Sequence, residues 1–317
     1  MYQIKYDSFG TFQEVIIYNE KIGQELRLLP EYGAAIKQIQ FSNGQSQYQI
    51  LDGYHDSSEI TRSKKRFKAT VLLPFPNRLS EGQYEWEGNA FQFPINEPAR
   101  GNNLHGFPEN QDFKLSAISL TEHSAQLALK SKYRAQYDYF PFNFDVQLKL
   151  EINTSNEFIY SFEIINRGET AMPIGLGWHP YFITEGGVNQ WNLRMPESRE
   201  IMVNENLIPN GKKELFDEFV QTKNIGEKVF DTCYELSNPT KKSSFELSGN
   251  EYSINLEASG DGEGFPFWQL YTPAHRNSIA IEPMTCNVNA FSNEEGLIRL
   301  APKAAWHGIV KIAFAAK

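Results

Sequence analysis

From position 144 to position 152 every second residue is apolar: Phe144, Val146, Leu148, Leu150 and Ile152 alternate with Asp145, Gln147, Lys149 and Glu151. A repeat of two gives one dry and one wet face, the pattern of a half-buried strand in an antiparallel sheet. The polar stretch Asn153-Thr154-Ser155-Asn156-Glu157, followed by a second run from Phe158 to the turn Asn166-Arg167-Gly168, predicts a hairpin. Leu127, Leu129 and Tyr133 repeat the pattern, as do Tyr252, Ile254 and Leu256, and again Val310, Ile312 and Phe314. No long segment sustains a helical period. The 22 Gly and 16 Pro punctuate the runs, and an aromatic content of 14% supplies bulk for a broad space between sheets. The prediction is an all-β chain, a large antiparallel β-sandwich. With no internal repeat, low-complexity tract or Pro/Ser-rich linker, residues 1–317 read as one domain, a length that large β architectures accommodate.

Charge and cysteine content narrow the function. A net charge of −9 argues against a nucleic-acid partner, because displacing counterions from phosphates needs a basic face. Cys233 and Cys286 are the two cysteines, so there is neither a disulfide framework nor a paired-cysteine zinc site, which suits a reducing compartment. The start Met1-Tyr2-Gln3-Ile4-Lys5-Tyr6-Asp7 lacks a signal-like apolar stretch, and no run has bilayer-spanning length. A soluble, cytoplasmic protein without a membrane partner is expected.

Three distant segments carry the chemistry: Asn102-Asn103-Leu104-His105-Gly106, Gly177-Trp178-His179-Pro180-Tyr181-Phe182 and Ile281-Glu282-Pro283-Met284-Thr285. Each presents one proton-transfer group, and Asn77-Arg78 lies upstream of all three. Two imidazoles and a carboxylate form a set that can protonate one oxygen while deprotonating another. Strand alternation puts His179 on the face of Gly177 and Tyr181, where Gly177 leaves room for a ligand. Glu282 closes an apolar run before Pro283, which predicts a carboxylate at a strand end, on the rim of a sheet. Taken singly, His179 would read as a core histidine and Glu282 as a solvated strand-terminal carboxylate. The ordered set is what points to a site.

In this order the segments resemble the aldose 1-epimerase (galactose mutarotase) family over most of the chain. Asn77-Arg78-Leu79 with Gly82 is similar to its first segment, Leu104-His105-Gly106-Phe107 to its second, and His179-Pro180-Tyr181-Phe182 to its His-x-Tyr-Phe segment. Ile281-Glu282-Pro283-Met284-Thr285 with Ala290-Phe291 resembles the segment of the base. Asn287-Val288-Asn289 departs from it, standing where many members carry Pro and Asp. The resemblance implies a galactose mutarotase-like supersandwich that interconverts the anomers of a free hexose. Glu282 would be the general base on the anomeric hydroxyl and His179 the general acid to the ring oxygen. Arg78, His105 and Asp231 would bind the sugar, with no cofactor and no metal. A carboxylate-rich pocket would keep His179 protonated while Glu282 stays ionised. The expected partner is a monosaccharide, and the expected state a monomer or homodimer.

Other classes remain open on the residues alone. A metal site could recruit His105, His179 and Glu282, although the tight spacing of metal motifs is missing. A glycoside hydrolase could pair Asp231 with Glu282 but would leave the histidines unexplained. A non-catalytic carbohydrate-binding protein could stack sugars on Trp178, Tyr181 and Trp268. The cations Arg62, Lys64, Lys65, Arg66 and Lys68 could clamp a phosphate, which would make the substrate a hexose 6-phosphate. A solvated loop is the commoner use of such a run.

Overall fold

The computed structural model describes residues 1–62, 67–107, 111–238 and 242–317. It is built from antiparallel sheets, and its described helices are short: Ser57–Arg62, Val188–Gln190 and Ala290–Asn293. A five-stranded meander takes the strands in chain order from Gln3–Phe9 to Gln47–Gln49. A nine-stranded sheet begins Lys114–Leu120, Ser124–Arg134, Asn143–Asn153 and Glu157–Asn166, and then receives the last strand of the chain, Ala305–Ala316, followed by Tyr252–Gly260. An eight-stranded sheet has Phe267–Tyr271 and Ser278–Met284 at its centre.

The hairpin predicted around position 155 is present, with Phe144 opposite Asn166 and Asn153 opposite Glu157. Val146, Leu148 and Leu150 are buried, as are Leu127, Leu129, Ile254, Leu256, Val310 and Ile312. These residues form the inner face of the nine-stranded sheet, and the inner face of the eight-stranded sheet packs onto it. Trp268 stacks on Phe245 with ring centres 4.1 Å apart, and Trp178 meets Tyr160 edge-on at 5.6 Å. Both indoles have their N–H satisfied inside the core, Trp268 by the Phe265 carbonyl and Trp178 by the Ala69 carbonyl. Burial of these indoles carries a large apolar contribution without leaving their N–H groups unpaired.

Alternation then fixes where polar chemistry can be placed. In Phe267–Tyr271, Trp268 and Leu270 belong to the core, so Gln269 and Tyr271 project from the opposite face. In Ser278–Met284, Ile279 and Ile281 are core residues and Glu282 projects with Gln269, its partner across the ladder. The sheet thus has a dry inner face and, over its centre, a polar outer one.

Candidate active site

The ladder between Ser278–Met284 and the segment carrying His179 has a gap in its middle. Gly177 pairs with Met284 and Tyr181 with Ala280, so the register sets His179 opposite Glu282. The His179 backbone bonds elsewhere: its N–H donates to the Thr70 carbonyl at 3.3 Å, and its carbonyl accepts from the Ala69 N–H at 2.8 Å. His179 Nε2 lies 3.5 Å from Glu282 Oε1. Glu282 is therefore not a rim residue, contrary to the sequence expectation. The strand continues through Pro283 to Met284 in the middle of the sheet, and Glu282 is only 1% exposed.

Burial governs the electrostatics of this pair. His179 Nδ1 and Glu282 Oε2 are both buried without a hydrogen-bond partner. Taking a charge out of water disfavours it, so burial lowers His179 to about 3. Burial and then the neighbouring Asp231 carboxylate push Glu282 well above the usual range, with Arg78 pulling the other way. Burial works against the sequence expectation of a protonated His179 beside an ionised Glu282, since it disfavours the charged form of each group. Tyr181 stacks on the His179 ring at 4.7 Å and fixes its plane.

The second wall comes from a two-stranded ribbon, Arg78–Ser80 against Asn102–Leu104. Beyond its end Asn77 and His105 both adopt left-handed backbone, at φ 60° and 64°. The His105 N–H donates to the Asn77 carbonyl at 2.8 Å, and the Asn77 N–H donates to His105 Nδ1 at 2.9 Å. Gly106 follows at φ 68°, and a Cβ there would come within 2.7 Å of the Leu73 carbonyl oxygen. Arg78 grips Glu97 through both Nε and Nη2, at 3.0 and 3.1 Å, and Arg100 joins the same carboxylate at 3.2 Å. Burial would raise Glu97, but the Arg78 hydrogen bonds and charge outweigh it and hold the carboxyl below its ordinary value. Burial lowers His105, and the charges of His179 and Arg78 act in the same direction.

These residues line one cavity of about 610 Å³, which holds Arg78, His105, His179, Asp231 and Glu282 together. Asp231 opens the strand Asp231–Leu236 and its surface faces the cavity. Its carboxyl still sits deep enough for burial to raise it, against the pull of Arg78 and Arg100. Sequence reasoning missed Glu97 and Gln269. Nothing local marks Glu97, whereas Gln269, a lone amide within Phe-Trp-Gln-Leu-Tyr, was a findable signal. Its Nε2 donates to Asp231 at 3.4 Å, and its Oε1 accepts from Asn77 Nδ2 at 2.9 Å.

Three further expectations change. Gly177 makes room for protein and not for a ligand, since a Cβ there would meet Pro76 Cβ at 2.8 Å. Trp178 and Trp268 face the core, which leaves Tyr181 as the one of the three proposed stacking rings that lines the cavity. The divergent loop acts through Arg78: the Asn289 N–H donates to the Arg78 carbonyl at 2.8 Å and Asn289 Oδ1 accepts from the Ser80 N–H at 3.0 Å. Of the basic run, Lys64, Lys65 and Arg66 lie outside the described residues. Lys68 lines the cavity with its ammonium 2.9 Å from Asp52 and 3.8 Å from Glu59. Among the described residues, no group of three or more His, Cys, Asp and Glu side chains is disposed to hold a metal ion. No helix there is long and apolar enough to cross a membrane.

Residues 27–313 match the family model for aldose 1-epimerase. An uncharacterized Escherichia coli K12 protein, YihR, is 27% identical over 237 residues, 73% of each chain. A galactose mutarotase-like protein from Clostridium acetobutylicum superposes with a TM-score of 0.86 at 17% identity, covering 99% of both chains. The galactose 1-epimerase of Lactobacillus acidophilus NCFM gives 0.80 at 16% identity, covering 100% of this chain and 99% of its own. At these identities the two structures speak for the fold alone.

Proposed function

The chain belongs to the aldose 1-epimerase family, and from that premise we propose that it interconverts the α and β anomers of a free hexose by acid–base opening and reclosure of the ring. The observation that carries this reading is the His179–Glu282 contact of 3.5 Å, with an unpartnered polar atom on each side chain. Such a pair supplies one movable proton next to two oxygens that must exchange one.

In the reactive state the pair's proton sits on His179 and Glu282 is ionised, an arrangement that the dipoles of a bound sugar favour and toward which the Arg78 charge already pulls Glu282. Glu282 takes the proton of the C1 hydroxyl while His179 gives its own to the ring oxygen. The C1–O5 bond breaks with its electron pair going to O5, and C1–O1 becomes a carbonyl. After rotation about C1–C2 the two transfers run backwards and close the ring with inverted C1. The pair ends with the proton count it began with, so each group serves as acid and as base. Arg78, His105 and Asp231 hold the sugar's oxygens.

A neutral hexose suits the cavity better than a phosphorylated one, because its described cations already hold carboxylates: Lys68 is paired with Asp52, and Arg78 and Arg100 share Glu97. A dianion would have to displace those carboxylates. The test is an anomer-exchange screen by NMR saturation transfer over free and 6-phosphorylated hexoses. Exchange of a free hexose is expected. Selective exchange of a hexose 6-phosphate would replace the substrate assigned here, and sugar binding without exchange would make the chain a carbohydrate-binding protein.

A further inference from the structure

We propose that Asn77 is a positioning residue that fixes which nitrogen of His105 carries the proton, so that His105 serves this reaction as a permanent Nε2–H donor and never as a proton carrier. The inference rests on the anomerase reading for its catalytic meaning and on geometry for its substance. A backbone N–H is an obligatory donor, so the nitrogen that receives the Asn77 N–H at 2.9 Å has to be an acceptor. Turning the ring over would aim that N–H at a carbon and leave it unpaired at a position where Asn77 is 3% exposed. Nδ1 is thus bare and the ring's single proton is on Nε2. Protonating Nδ1 would set two donors against each other. The charged or chargeable groups that act on the ring, His179 at 5.4 Å between ring centres and Arg78, also oppose a positive charge, and the Phe67 ring meets it edge-on at 4.8 Å.

The lock is built into the backbone. The reciprocal bonds between Asn77 and His105 close the end of the Arg78–Ser80 ribbon, and both residues need left-handed backbone to make them. The Asn77 side chain extends the same control. Its Oδ1 accepts from the Arg78 N–H at 3.0 Å and from Arg78 Nη1 at 3.3 Å, while its Nδ2 holds Gln269, which in turn donates to Asp231. One residue thereby orients three sugar-binding groups and assigns His105 to donation only. The oxygen placed against His105 must be an acceptor, and of the neighbouring imidazoles His105 and His179 it is His179 that is left to move a proton.

The first test is nitrogen-15 NMR of the histidine rings in the wild-type protein. His105 should show an unprotonated, hydrogen-bonded Nδ1 and a protonated Nε2, unchanged between about pH 5 and 8, the range in which a free imidazole titrates. A proton on Nδ1, or a titration in that range, overturns the proposal. This readout needs no turnover, so it is separable from failure of the anomer-exchange assay. The second test compares two amides. Glutamine places an N–H where Nε2 was, and asparagine fills only the Nδ1 position. His105→Gln should therefore exchange anomers at least about tenfold faster than His105→Asn, the worth of one hydrogen bond to a charged or developing centre. Equal rates would mean that His105 carries protons after all. Asn77→Gly keeps the backbone N–H and the positive φ but deletes the amide. It should leave the His105 tautomer in place while raising KM more than it lowers kcat, and a fall in kcat alone would refute the side chain's positioning role.

Discussion

The two walls of the cavity treat charge in opposite ways. On one, Glu282 and His179 are buried with a polar atom each unpaired, and desolvation drives both toward neutrality. On the other, Glu97 is buried but paired, accepting bonds from Arg78, Asn102 and the more exposed Arg100. The difference separates a wall whose protonation can change from one whose charges are held. Reactivity belongs to the first because the proton of such a pair has two seats, one on each partner. Orientation belongs to the second because breaking a buried charged network from one side costs about 3–5 kcal/mol.

Removing the mobile wall should have the largest effect. Glu282→Gln and His179→Asn are each expected to lower kcat for anomer exchange by roughly 10²-fold or more, with sugar affinity little changed. The double variant should be little slower than the worse single one, since residues acting as a unit are strongly non-additive. Polarimetry on a substrate of the wild type decides this, and either single variant at near-wild-type rate would dissolve the contrast between the walls.

Damage to the fixed wall should be smaller and of another kind. Glu97→Gln leaves two guanidinium charges uncompensated and lets Arg78 wander, so KM for a free hexose should rise about tenfold, the size of one charge-assisted bond, with a lesser change in kcat. The freed charge should favour hexose 6-phosphate in the same assay. A fall in kcat at constant KM would mean that Glu97 belongs with the reacting groups.

The smallest effects are in the pH dependence, where the direction carries the information. Because the pair works with one shared proton, kcat/KM should fall at the acid end toward about 3 as His179 gains a second proton, and on the alkaline side, displaced upward from the ordinary carboxylate value, as Glu282 loses its own. An acid limb centred on the free imidazole value of about 6.5 would contradict this. Stability follows the same shifts. Folded His179 and His105 bind fewer protons than their unfolded forms below about pH 6.5, so both cost stability as pH falls through that region. Folded Glu282 keeps its proton above about pH 4.3, where the unfolded chain releases it, so it costs stability as pH rises. In urea unfolding, His179→Asn should flatten the acid side of the profile and Glu282→Gln should raise stability at neutral pH.

The sequence by itself determined the faces of the strands and part of the membership of the site. A two-residue period is a local property, and it set the faces of strands such as Asn143–Asn153 before any partner was known. The spacing of Arg78, His105, His179 and Glu282, read with a family resemblance, named five residues that line one cavity once Asp231 is included. Protonation and support were decided only by the tertiary structure. Glu282 read as a solvated rim carboxylate because Pro283 marks strand ends, yet the neighbouring strand opens at His179 and the ladder runs on to Met284. Depth in the sheet, and with it the sign of both pKa shifts, is a sum over atoms from distant segments. Glu97, Gln269 and the Asn77 lock on His105 were hidden for the same reason: a hydrogen-bond partner 19, 28 or 192 positions away leaves no local periodicity. Gly177 and the two tryptophans show the converse, since composition announced space and stacking surface while packing gave both to the core.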